Sequence, residues 1–139
     1  MTDIRTGITS EPLDAAAITQ AAADPRCGAL VTFAGVVRNH DAGTQVQAID
    51  YSAHPSAERV LARIAAGIGE RDGLGRIEAW HCIGHLEVGD TAMVVVVAAP
   101  HRGPAFAAVT DLVDQVKAEL PVWKNQQLAD GTHSWSGIA

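Results

Sequence analysis

The amino-acid sequence predicts an α+β fold with about three helices, and three observations carry that expectation. Phe106, Val109, Val113, Val116 and Leu120 recur every three or four residues, the period of one buried helix face. Residues 28–37 and 92–99 are short β-branched and apolar runs that end at polar or cationic residues, the pattern of strands. Gly43, Val88-Gly89-Asp90 and Ala129-Asp130-Gly131-Thr132 provide turn chemistry between such elements. With 139 residues, 47% hydrophobic and 19% charged, the chain is long enough for one core and too short for two, so residues 1–139 are expected to form a single domain.

Taken in order, Ile4 to Thr9 alternates weakly as a short strand, and the alanine-rich stretch after Asp14 reads as a helix capped by Asp14 or Ser10 and stopped by Asp24-Pro25. The strand over 28–37 delivers Arg38-Asn39-His40-Asp41 to its C-terminal end. Val46 to Ser52 alternates again, and His54-Pro55 opens a helix to about Gly69 with Val60, Leu61, Ile64 and Ile68 on one face. Arg76 to Glu87 reads as one strand with an irregularity at Gly84. The run 92–99 is the most apolar strand and is expected to be central, covered on both faces. Pro104 then starts the third helix, Pro121 ends it, Trp123 reads as an anchoring aromatic, and His133 to Gly137 is a candidate edge strand.

Charge and cysteine usage exclude several classes of function. A net charge of -6 and a pI near 5.4 argue against nucleic-acid or membrane-surface partners, which require a basic face. Cys27 and Cys82 form neither a Cys-x-x-Cys pair nor a zinc spacing, and read as buried small hydrophobes in a reducing compartment. The N-terminus lacks a signal-peptide pattern, and the longest apolar run is far short of a membrane span. A cytoplasmic location is therefore expected. Neither a metal nor a cofactor is expected; His81 and His85, four apart on a stretch that reads as a strand, are taken as structural or surface histidines.

The cations concentrate at the ends of elements. Lys117 and Lys124 are the only two lysines, and they flank one Leu-Pro-Val-Trp segment. On spacing alone they read as solvated helix-end charges rather than functional amines. Lys117, however, lies one turn after Val113 at the edge of the apolar stripe, where burial or a neighbouring cation lowers an ammonium pKa. Arg38 with His40, and His101 with Arg102, close two other strand-like runs. His101-Arg102 immediately precedes a helix, where free backbone N–H groups favour an anion, and Arg102 can grip one bidentately. No nucleophile elbow, Walker loop, dinucleotide fingerprint or zincin motif is present.

Four stretches in order, Gly28-Ala-Leu-Val-Thr-Phe-Ala-Gly-Val-Val-Arg-Asn-His, Ile83-Gly-His-Leu-Glu-Val-Gly-Asp, Ala99-Pro-His-Arg-Gly-Pro-Ala-Phe and Val116-Lys-Ala-Glu-Leu-Pro-Val-Trp-Lys, resemble the large catalytic subunit of molybdopterin synthase. The resemblance extends from Ser10 to Trp135. It implies an α/β-hammerhead fold with a mixed, largely antiparallel sheet, a homodimer of this subunit, and a ubiquitin-like sulfur-carrier small subunit on each protomer, giving a heterotetramer. It also implies sulfur transfer from the carrier's C-terminal thiocarboxylate to cyclic pyranopterin monophosphate, forming the dithiolene of molybdopterin in molybdenum cofactor biosynthesis. By motif, Lys117 and Lys124 match the family's catalytic lysines, while Arg38, His101, Arg102 and again Lys124 fall to substrate binding, with His101 and Arg102 supplied to a pocket by the same or by the neighbouring protomer.

Asn125 stands where a charged residue is common in that family, Ser52 and His54 stand where an acidic residue and a tyrosine often occur, and the longer basic tail of some members is missing. These departures bear on secondary substrate contacts and on how the carrier tail is held. Two other functions are weighed beside the synthase: a noncatalytic scaffold that binds a ubiquitin-like carrier tail, and a different enzyme acting on a small phosphorylated metabolite without a carrier.

Overall fold

The computed structural model describes residues 2–41 and 43–137, and shows three helices and nine strands among them. The strands are β1 (Asp3–Thr9), β2 (Ala29–Val36), β3 (His40–Asp41), β4 (Thr44–Ala53), β5 (Arg76–Cys82), β6 (Gly84–Glu87), β7 (Thr91–Ala99), β8 (Val122–Leu128) and β9 (His133–Gly137); the helices are α1 (Ala15–Ala21), α2 (Ala57–Gly69) and α3 (Arg102–Glu119). The first sheet has the order β1-β5-β7-β2, with β1 parallel to β5 and the other pairs antiparallel. The second has the order β3-β4-β8-β9, with β6 on the other edge of β4. The α+β class, three helices and mainly antiparallel pairing are as expected. Met1 and Ala139, the ends of the expected domain, lie outside the described residues.

Local chemistry accounts for the helix limits. Asp14 caps α1, its Oδ1 accepting the Ala17 N–H at 3.1 Å, which satisfies one of the donors every helix start leaves free. On α2 the buried residues Leu61, Ile64, Ala65 and Ile68 follow helical spacing. In α3 the buried row is Ala105, Ala108, Val109, Leu112, Val113 and Val116. Phe106, expected on that row, is 57% exposed. Residue 106 lies about 100° from Ala105 around a 3.6-residue helix, and the small alanines, which the sequence pattern did not weight, occupy the side facing the sheet.

The main core lies between the first sheet and α2 and α3. Ile77 and Ala79 of β5, with Met93, Val95, Val97 and Ala99 of β7, pack there, while Val94 and Val96 project to the other face and meet Ala22 and the α1 side. Thus β7 is covered on both faces, as its unbroken apolar run predicts.

Four expectations require correction. The run 76–87 is two strands rather than one: Gly84, at φ +95, breaks it, and β6 leaves the first sheet to pair with β4 in the second. A positive φ of this kind is accessible to glycine with little strain. Residues 122–128, expected to be a turn and tail, form β8, paired with β4 and β9; the polar Lys124-Asn-Gln-Gln sequence has weak strand propensity, and cross-strand pairing overrides it. Trp123 is exposed rather than an anchor, and Cys27 is only partly buried. No helix among the described residues is long and apolar enough to cross a membrane.

Candidate functional site

The two sheets meet around a cavity of ≈ 310 Å³. Its floor comes from one row of the first sheet, in which His81 of β5 and Gly35 of β2 both lie opposite Met93 of β7. One wall comes from the second sheet: Ile49 and Tyr51, two apart on β4, face Gln126 and Lys124, two apart on β8, in direct register. Alternation along each strand puts all four side chains on one face. Lys117, in the last turn of α3, and Arg38, just after β2, complete the cationic lining.

The cavity therefore gathers Lys117, Lys124 and Arg38 from three separate parts of the chain, and among the described residues no carboxylate lines it. The ammonium of Lys117 is held below its ordinary pKa, first by desolvation and then by the positive charges of Lys124 and Arg38. Much of the Lys117 side chain remains solvent-accessible. Among the described residues Arg38 has one weak partner, Asp41 at 3.4 Å, in an exposed pair, which contributes little. Such a cavity is suited to an anion, whose entry offsets the mutual repulsion of the three cations.

His81, taken from the sequence as structural or at the surface, belongs to the cavity instead. Its ring is 2% exposed, stands edge-on to Tyr51 with centroids 5.1 Å apart, and lines the cavity floor. Nδ1 lies 2.7 Å from the Cys82 carbonyl oxygen; a carbonyl only accepts, so Nδ1 carries the proton and the neutral ring keeps its lone pair on Nε2. Burial, with a smaller effect from Lys117, pushes the imidazole down to about 4. The signal lay in the alternation Ile77, Ala79, His81, which continues the core-facing row of β5 into the cavity. His85, by contrast, is a surface residue, with Nδ1 2.7 Å from Asp50 and Nε2 3.0 Å from Glu87. Tyr51 and Gln126 were also missed. Gln126 was hidden because β8 itself was not anticipated.

His101 and Arg102 do not reach this cavity within the same chain. His101 precedes α3 and Arg102 begins it, so fifteen residues of helix separate Arg102 from Lys117, roughly 22 Å at the α-helical rise. Both are exposed; they line an open cleft of ≈ 360 Å³ with Leu30 and Phe106, beside the unpaired edge of β2. No group of three or more His, Cys, Asp or Glu residues suited to a metal occurs among the described residues.

Comparison with known proteins decides the family. The model of the MoaE protein family matches residues 8–119. The chain belongs to the MoaE family. A MoaE relative from a Nostoc species, the molybdopterin synthase catalytic subunit, is 38% identical over 133 residues, 94% of this chain and 81% of that protein. The crystal structure of molybdopterin synthase from Staphylococcus aureus matches with a TM-score of 0.85 at 31% identity, covering 94% of this chain and 95% of the other. A complex of subunits 1 and 2 of molybdopterin-converting factor from Helicobacter pylori matches with a TM-score of 0.77 at 18% identity, covering 94% and 89%. That last likeness speaks for the MoaE fold alone.

Proposed function

We propose that this MoaE-family chain is a sulfurtransferase subunit that takes sulfur from the C-terminal thiocarboxylate of a ubiquitin-like carrier and installs it on cyclic pyranopterin monophosphate, yielding the molybdopterin dithiolene. The observation that carries this reading is the convergence of Lys117, Lys124 and Arg38 on one cavity that no carboxylate lines among the described residues. Both reactants are anions, and among the described residues no cysteine lines the cavity. Sulfur therefore arrives on the partner. The working unit is a homodimer of this subunit with a carrier on each copy, acting in the cytoplasm, with residues 1–139 serving as a single domain.

Lys117 contacts the thiocarboxylate and moves protons during its attack, a role that a lowered ammonium pKa favours. Lys124 and Arg38 hold the carrier's carboxyl end and the cyclic phosphate and stabilise charge that builds up in transfer. His101 and Arg102 serve a cavity of the second copy, since their own lies a helix-length away. Incubation with thiocarboxylated carrier and cyclic pyranopterin monophosphate should give molybdopterin. Carrier binding without product would select the scaffold instead, and turnover of a phosphorylated metabolite without carrier would select a different enzyme.

A further inference from the structure

Sulfur donation by a thiocarboxylate leaves a step that the three cations do not perform. Once the sulfur bonds to a side-chain carbon of the substrate, it still holds the carrier's acyl carbon as a thioester. Release requires water to add to that acyl carbon and the carbon–sulfur bond to break. The sulfur keeps the bonding pair as a thiolate on the substrate, and the carrier departs as a carboxylate. Of the two water protons, one must be taken up as the water attacks and the other is lost when the carboxylic acid ionises. No electrons are gained or lost overall. Ammonium and guanidinium groups can stabilise the oxyanion, but in their charged forms they have no lone pair to accept the first proton.

We propose that His81 accepts that proton, its Nε2 acting as general base on the water that frees the carrier. This deepens the sulfurtransferase reading and rests on it. With Nδ1 tied to the Cys82 carbonyl at 2.7 Å, the lone pair is confined to Nε2. Nε2 has no hydrogen-bond partner among the described residues. The ring that carries it lines the cavity beside Lys117 and Lys124. The edge-on Tyr51 ring holds the imidazole plane, as a base must be oriented to meet its proton.

The titratable groups that line the cavity with this imidazole are Lys117 from α3, Lys124 from β8, Arg38 after β2 and Tyr51 from β4. In the free protein burial and, more weakly, the charge of Lys117 oppose protonation of the ring. An anionic carrier tail and a cyclic phosphate offset that charge, so the basicity of Nε2 rises when the reactants are in place. The base is thus gated by the charge of its own substrates.

The test is single-turnover reaction of the full chain with thiocarboxylated carrier and cyclic pyranopterin monophosphate, following intact mass and molybdopterin together. His81→Gln should consume thiocarboxylate, accumulate the covalent carrier–substrate adduct, and release molybdopterin ~10²-fold more slowly than wild type. Release at the wild-type rate would overturn the role of His81. Failure of the wild-type chain to convert substrate would instead overturn the sulfurtransferase reading on which it rests. Should His81→Gln not fold, nitrogen-15 NMR of the wild-type imidazole decides. An Nδ1–H tautomer at neutral pH, with Nε2 gaining proton affinity on addition of a peptide ending in Gly-Gly, supports the assignment, and an Nε2–H tautomer or no response to the peptide overturns it.

Discussion

At the C-terminal end of α3, Lys117 stands with Arg38 and Lys124 over a cavity walled by both sheets, whereas at the N-terminal end His101 and Arg102 stand on an open cleft beside Leu30 and Phe106. The two ends carry similar charge types but differ in what surrounds them. At the first, crowding of like charges and partial desolvation lower the Lys117 pKa, so chemistry is available within one chain. At the second, solvent screens the charges, and the exposed apolar neighbours indicate a surface that functions when something covers it. A cationic cluster becomes a reaction site through enclosure, and helix α3 holds one enclosed cluster and one open cluster on the same rigid rod.

The largest expected effect lies at the enclosed end. Lys117→Ala should lower carrier-dependent molybdopterin formation by ~10²-fold or more while leaving the thermal unfolding transition intact, because much of that side chain is solvent-accessible. Single-turnover kinetics beside a melting curve separate the two quantities. Undiminished activity would remove the contrast between the ends of α3.

Desolvation at the enclosed end should also be legible in stability against pH. The native His81 titrates at about 4 against an ordinary 6.5, so between these values the unfolded chain binds the extra proton and the native state does not. Stability therefore falls as pH drops from 6.5 to 4, by up to about 3 kcal/mol for this one group. Urea denaturation at intervals across that window should show a shallower acid loss for His81→Gln than for wild type, and equal slopes would mean that the ring is already hydrated. His85 works in the opposite direction. Asp50 and then Glu87 raise its pKa, so its contribution is present below the unfolded pKa and is lost as pH rises through the folded one.

Whether the open end joins the enclosed one is a question of symmetry. If Arg102 serves the cavity of a second copy, Lys117→Ala and Arg102→Ala are each impaired alone, but a mixed dimer contains one cavity with neither defect. Statistical reassociation then restores roughly a quarter of wild-type activity, as expected for a two-fold dimer. Titrating one variant into the other in the conversion assay reads this directly. No recovery would confine Arg102 to some other task.

How far the site was legible in the sequence follows the same division between local and long-range physics. The helices and most strands were legible because periodicity is local: Leu61, Ile64 and Ile68 mark α2 without reference to anything else. Lys117 and Lys124 stood out because they are the only lysines, and the order of four motifs added their family register. His81 did not stand out, since its role depends on Lys117, thirty-six residues later, and on the break at Gly84 that ends its strand. The separation of His101 and Arg102 from Lys117 was legible, being the length of the helix that Pro104 and Pro121 bracket. Strand β8 was missed because its polar sequence acquires strand character from β4 and β9 rather than from its own composition.

The smallest expected effect tests the faces of α3 rather than its ends. Leu112, fully buried, should cost ~2–5 kcal/mol on truncation to alanine, through lost burial and an unfilled cavity. Phe106, one and a half turns earlier on the outward side and 57% exposed, should change stability by less than about 0.5 kcal/mol when replaced by serine, the range of ordinary surface substitutions. Denaturant titrations at dilute protein measure both. Because Phe106 lies beside Arg102 and Leu30, repeating the Phe106→Ser measurement at high protein concentration sharpens the result: a concentration-dependent loss relative to wild type would show that a second copy covers this cleft, and with it the route by which Arg102 reaches a cavity that its own chain cannot offer.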